Sequence, residues 1–278
     1  MTLSNSPAPI GIFDSGYGGL TIFEKIKEQL PQYDYIYLGD NARAPYGSRS
    51  FEVVYEYTLQ CVKKLFETGC HLVILACNTA SAKALRTIQQ NDLPNIDPHR
   101  RVLGIIRPTA EIIGEITKTK QVGLLGTTGT VQSNSYPMEI AKLFPELKIV
   151  SHACPMWVPL IENGEHLSEG ADFFIKKDID ALLAQNQGID TIILGCTHYP
   201  LIINKIKRYT PKHITIISQG EIVGRSLKNY LQRHPEIDGK CSKNAHTEFL
   251  TTESADKFSA SAAFFLNKKI NAKHINIL

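Results

Sequence analysis

Short apolar runs recur along the whole chain, and between them the apolar positions spread to a period near 3.6 residues. The runs are Ile10–Phe13, Tyr35–Leu38, Leu72–Ala76, Val102–Ile106, Val122–Leu125, Ile149–Val150, Thr191–Leu194 and Ile214–Ile217. Rich in Ile, Val, Leu and Tyr and lacking a polar alternation, they predict strands buried on both faces. The stretches between them predict amphipathic helices. In Val54–Phe66, for example, Val54, Thr58, Cys61, Val62, Leu65 and Phe66 share one face. Such alternation predicts an α/β protein built from parallel sheet covered by helices. Ligands of such sheets bind outside the carboxyl ends of the strands.

The residues at those ends are polar and glycine-rich. They read Asp14-Ser15-Gly16-Tyr17-Gly18-Gly19, Asp40 through Pro45-Tyr46-Gly47, and Cys77-Asn78-Thr79 in the first half. In the second half they read Gly126-Thr127-Thr128-Gly129-Thr130 and Cys196-Thr197-His198-Tyr199-Pro200. Ile10-Gly11-Ile12-Phe13-Asp14-Ser15 matches Val122-Gly123-Leu124-Leu125-Gly126-Thr127. Leu72 through Thr79 matches Thr191 through His198 at a nearly equal offset. This register predicts a duplicated α/β unit with one cysteine at a strand tip in each copy.

Composition narrows the partners. A chain of 278 residues makes about two domains or one large one, and 43% hydrophobic with 21% charged residues excludes disorder. The net charge of +3, with no long basic run, argues against nucleic acid but not against a small anion. No apolar stretch reaches the roughly 18–20 residues of a membrane helix. Met1–Pro9 is polar, with neither a basic nor an apolar signal region, so the chain is expected to stay in the cytoplasm, away from membranes. The six cysteines form no C-x-x-C pair, which fits a reducing compartment.

A lone cysteine after a strand is usually a buried filler. Two at equivalent tips, each leading into a helical pattern whose amino terminus favours thiolate, point to chemistry. Cys61, Cys70, Cys154 and Cys241 lack such a setting and read as filler. Asp14 reads either as a helix cap or as a carboxylate beside a thiol. Gly16-Tyr17-Gly18-Gly19 departs from a dinucleotide loop, because Thr21 stands where its third glycine belongs. Pro45-Tyr46-Gly47 reads as a rigid turn. Thr127 and Thr130 offer hydroxyls and free N–H groups suited to a carboxylate. His198 is a structural histidine or a charge partner of Cys196, and Glu162, after a loop holding Trp157, reads as a surface acid. No metal-ligand spacing, Walker loop or strand-end lysine is present, so no metal, nucleotide or pyridoxal cofactor is expected.

Asp14-Ser15-Gly16, Pro45-Tyr46-Gly47, Cys77-Asn78-Thr79 and Leu194 through Pro200 together resemble the signature segments of the aspartate/glutamate racemase family. Thr127 through Thr130 and Val158-Pro159-Leu160-Ile161-Glu162 match as well, and the resemblance runs from about residue 9 to about residue 266. It implies two pseudo-symmetric parallel-sheet domains with the site in the cleft between them. Residues 1–101 with 213–278 would form the first domain, and 102–212 an inserted second one. It implies cofactor-independent interconversion of L- and D-glutamate, supplying D-glutamate for peptidoglycan, by a homodimer. Cys77 and Cys196 would be the acid/base thiols, with Asp14 assisting Cys77 and with His198 and Glu162 assisting Cys196. Asp14, Ser15, Pro45, Tyr46, Gly47, Asn78, Thr79, Thr127, Thr130, Thr197 and His198 would hold the substrate. Aspartate or another small acid is the nearest alternative substrate. A thiol hydrolase with Cys196 as nucleophile and His198 as base is an alternative of another class, but it leaves Cys77 without a task. One departure is Ser218-Gln219-Gly220, where relatives tend to carry an Asp-Ser pair.

Overall fold

Strand β1 (Ile10–Asp14) is buried at every residue because it has a strand on either side and helices on both faces. It pairs in parallel with β2 (Tyr35–Gly39) and β3 (Leu72–Leu75), and β4 (Arg101–Gly104) follows β3. A second sheet repeats this plan: β5 (Gln121–Gly126) lies between β6 (Lys148–Ala153) and β7 (Thr191–Gly195), with β8 (Thr215–Ile217) beyond β7. Two further strands, β9 (Thr247–Thr251) and β10 (Ala272–His274), extend the first sheet beside β2. The orders are β10-β9-β2-β1-β3-β4 and β6-β5-β7-β8, parallel throughout. The structure, a computed structural model, describes residues 6–277. Most of the polar amino-terminal segment, residues 1–5, lies outside the described residues. No described helix is long and apolar enough to cross a membrane.

The shared plan fixes where the two cysteines stand. Phe13 of β1 pairs with Leu75, and Leu125 of β5 pairs with Leu194. Cys77 and Cys196 each lie two positions past those partners, so the register makes their places equivalent.

Helix α1 (Gly19–Gln29) follows β1, and α2 (Phe51–Glu67) precedes β3. The Ser50 side chain caps α2 by accepting the Val53 N–H at 3.3 Å, and its buried face is the one predicted for Val54–Phe66. Burial of its Val, Leu and Phe side chains stabilises the packing by about 1.5–3 kcal/mol each. Beyond β3 comes α3 (Asn78–Lys83). The second sheet carries α4 (Ile106–Ile116), α5 (Thr128–Gln132), α6 (Ser135–Ala141), α7 (Trp157–Glu162), α8 (Glu169–Gln185) and α9 (Ile203–Tyr209). After β8 the chain enters α10 (Gly220–Arg233), which packs on α1. Gly220 and Gly224, four apart on one face, permit this approach, because a Cβ at Gly224 would lie 2.8 Å from the Lys25 carbonyl oxygen. Helix α11 (Ala255–Leu266) covers the first sheet near β10.

Several elements differ from the sequence expectation. The run Val102–Ile106 is strand only to Gly104, and Ile106 opens α4, whose Pro108 sits in the first turn where no N–H partner is lost. The segment with Trp157 is a helix, since Trp157 and Ile161 bury on one face of it. β9 and β10 were not predicted: Thr247–Thr251 mixes polar and apolar residues, and β10 is a three-residue edge. The sheets also divide the chain a little later than residues 102 and 213. β4 belongs to the first sheet and β8 to the second, so the crossings fall near Ile105 and Ser218.

Candidate active site

The carboxyl ends of the two sheets enclose a cavity of about 130 Å³. Ser15, Gly16, Pro45, Tyr46, Gly47, Cys77, Asn78 and Thr79 line it from the first half, and Thr127, Thr128, Cys154, Glu162, Cys196, Thr197 and His198 from the second. Neither lysine nor arginine is among its lining residues. Carboxylates here would meet neutral donors, with His198 as the nearby cation.

Cys77 caps α3, its sulfur accepting the Ala80 N–H at 3.4 Å, while the Ser15 hydroxyl lies 3.3 Å from the same sulfur. Burial first, and then the neighbouring Asp14 charge, push the thiol up to about 12. Asp14 itself stands behind Ser15. Its Oδ2 accepts the Gly16 N–H at 2.9 Å and the Tyr37 hydroxyl at 3.4 Å, and burial raises its carboxyl above the usual range. The direct neighbour of the Cys77 sulfur is therefore Ser15, with Asp14 acting on it through charge.

Cys196 has a different setting. Its sulfur lies 3.8 Å from His198 Nδ1, and His198 Nε2 is 2.9 Å from Glu162 Oε1. Burial disfavours the charged ring, but Cys196 and Glu162 outweigh it and raise the imidazole to about 10. Glu162 is brought to the cavity by α7, anchored where the buried Trp157 ring packs 4.7 Å from that of Tyr199. Glu162 is exposed, as expected of a surface acid, yet its carboxylate also reaches the buried imidazole. Because His198 titrates above its ordinary 6.5, the pair's stabilisation is whole below about pH 6.5 and is lost as pH rises through about 10. Glu162→Gln removes one of the groups that raise the ring. The alkaline limb of the pH–kcat/KM profile should therefore move to lower pH, with activity at pH 8 falling up to about tenfold. An unmoved limb would show that Glu162 does not govern this imidazole.

The two halves touch across the cavity mouth. The Thr79 hydroxyl is 3.0 Å from that of Thr127 and 3.4 Å from that of Thr130, and the Gly129 N–H donates to the Gly47 carbonyl at 2.7 Å. The Thr127 side chain accepts the Thr130 N–H at 3.3 Å. Two N–H groups expected to be free for a carboxylate are thus already engaged. Thr130 sits behind Thr127 and does not line the cavity. The Tyr46 hydroxyl donates to buried Asp40, which also accepts from Arg43 at 2.7 Å, so that hydroxyl is already engaged away from any ligand.

Sequence reasoning missed two features. Cys154, read as filler, lines the cavity; its place follows from β6, which was only partly recognised. The paired glycines Gly18 and Gly19, at the start of α1, have a steric purpose rather than a phosphate-binding one. A Cβ on Gly18 would overlap the His198 ring and the Thr197 hydroxyl, and one on Gly19 would lie 2.6 Å from the Asp14 Cβ. The Thr21 hydroxyl, at the place of the missing third glycine, donates to the Thr197 carbonyl at 2.8 Å.

Parallel sheets whose equivalent strand ends bring two thiols to one cavity define a class, and sequence comparison agrees: the chain belongs to the Asp/Glu/hydantoin racemase family, whose model matches residues 10–223. It is an isomerase. A glutamate racemase of Ruegeria is 38% identical over 271 residues, covering 94% of this chain and 97% of that protein. Among solved structures, a glutamate racemase isoform from Bacillus anthracis superposes with a TM-score of 0.87 at 35% identity, covering 97% of both chains. The Francisella tularensis glutamate racemase, solved in complex with D-glutamate, gives 0.84 at 30% identity, covering 99% of this chain and 98% of that one.

Proposed function

We propose that this chain interconverts L- and D-glutamate by passing the α-proton between Cys77 and Cys196. Glutamate as substrate is supported by likeness to glutamate racemases over nearly the full length of both chains. The observation that carries the mechanism is the pair of thiols at register-equivalent strand ends lining one cavity. Racemisation removes a proton from one face of the α-carbon and returns one to the other, so it needs two acid/base groups on opposite sides. Thiols, ordinarily near 8.5, suit this at neutral pH better than carboxylates near 4. One begins as thiolate and the other as thiol, and the roles exchange with the enantiomer.

General acid–base catalysis supplies about 10²–10⁴-fold for each group, or about 3–5 kcal/mol apiece. The remainder is assigned to donors around the α-carboxylate, where negative charge develops. Ser15, Asn78, Thr79, Thr127, Thr197 and the backbone of the Pro45-Tyr46-Gly47 turn are the candidates, with Thr130 holding Thr127. Ser15 and Asp14 serve Cys77, while His198, backed by Glu162, serves Cys196. No metal or organic cofactor is needed for these steps. In this reading the halves comprise residues 1–104 with 218–278, and residues 105–217. The protein acts as a cytoplasmic homodimer feeding D-glutamate to peptidoglycan synthesis.

Circular dichroism of L- and D-glutamate, with aspartate in parallel, tests the reading. Decay of the glutamate signal to zero from either enantiomer, with no new compound formed, is expected. Turnover of aspartate alone, or release of a hydrolysis product, would overturn it. The second outcome would favour the thiol hydrolase that Cys196, His198 and Glu162 could form by themselves.

A further inference from the structure

Gln219 stands in the step Ser218-Gln219-Gly220, just where the chain leaves the second sheet for α10, and is 2% exposed. Its Nε2 donates to the Ile105 carbonyl at 2.9 Å and to the Thr109 hydroxyl at 3.2 Å. Its Oε1 accepts from Asn78 Nδ2 at 2.8 Å, and Asn78 Oδ1 accepts from the Tyr136 hydroxyl at 2.6 Å. A backbone carbonyl can only accept, so Ile105 obliges Gln219 to present its nitrogen there and its oxygen to Asn78. Asn78 must then turn its own nitrogen towards Gln219. The reverse orientation would set the Gln219 oxygen against the Ile105 carbonyl, leaving buried groups opposed. Asn78 directly follows Cys77 and lines the cavity, and one of its two amide N–H groups remains uncommitted.

We propose that Gln219 is a positioning residue that fixes the Asn78 amide with its free N–H towards the substrate carboxylate beside Cys77. The inference rests on the racemase reading above. It also ties the two crossings between the sheets, Ile105 and Gln219, to the start of α3, so both crossings and the Asn78 amide share one buried pin.

Gln219→Met keeps the length and burial but removes every polar contact. KM for both glutamate enantiomers should rise about 10- to 100-fold, with kcat within about threefold. Because Gln219 acts through Asn78, adding Gln219→Met to Asn78→Ala should cost no more than about a further twofold. Tyr136→Phe, which loses one hydroxyl, should raise KM about 3- to 10-fold, and it decides the matter if Gln219→Met does not fold. A merely structural Gln219 would lower the melting temperature and leave KM unchanged. That result, or penalties that multiply in the double variant, overturns the proposal. A wild-type protein that fails to racemise glutamate would instead overturn the functional reading on which it rests.

Discussion

Cys77→Ala and Cys196→Ala should each lower racemisation of both enantiomers by at least about 10³-fold, because in the proposed mechanism each turnover in either direction uses one thiol as base and the other as acid. Cys61→Ala, Cys70→Ala and Cys241→Ala should leave it largely intact, since those sulfurs are buried away from the cavity. In D₂O, the inverted product should carry deuterium at the α-carbon. The thiol that donates is not the one that took the proton, and it exchanges with solvent between turnovers. A one-base enzyme would return much of the original proton and tolerate the loss of one cysteine. Either single variant racemising near the wild-type rate, or inverted product retaining its α-proton, would refute the two-thiol mechanism.

Asp14→Asn should reduce kcat by about 10²-fold while KM changes by less than about threefold. The carboxylate lies behind Ser15, and its oxygen is held by the Gly16 N–H and the Tyr37 hydroxyl. Burial raises both Asp14 and Cys77, and the Asp14 charge raises Cys77 further. Two such neighbours do not readily ionise together, so the Asp14 charge bears directly on whether Cys77 is thiol or thiolate. Asparagine removes that negative charge and sets an amide where an acceptor is required. The cost falls on proton transfer, because Asp14 is screened from the cavity by Ser15. Unchanged turnover with a raised KM would reassign Asp14 to substrate binding.

Much of this site is legible in the sequence because parallel strands buried on both faces read as unbroken apolar runs, and their ends bring chemistry to one edge. Cys77, Cys196, Asp14 and Thr127 all lie at such ends. Glu162 was harder to place. It sits on a short helix whose approach to His198 depends on the packing of Trp157 against Tyr199, a contact between segments about forty residues apart that local pattern does not encode. The engagement of the Gly129 and Thr130 N–H groups was hidden for a similar reason, since the Gly129 partner comes from the other half of the molecule. β9 is hard to read because its first two residues, Thr247 and Glu248, are polar and only partly buried, which cuts the apolar run to Phe249-Leu250.

The two thiols occupy equivalent places but keep different company: a hydroxyl and a buried carboxylate on one side, an imidazole backed by a carboxylate on the other. Such a site is lopsided, yet its reactants are mirror images of equal free energy, so the equilibrium constant is unity. The ratio kcat/KM must then be the same for both enantiomers, in the native protein and in every variant of it. The lopsidedness has one outlet, which is saturation. Whichever enantiomer turns over faster at high concentration must have a correspondingly higher KM, and below both KM values the protein cannot favour either hand.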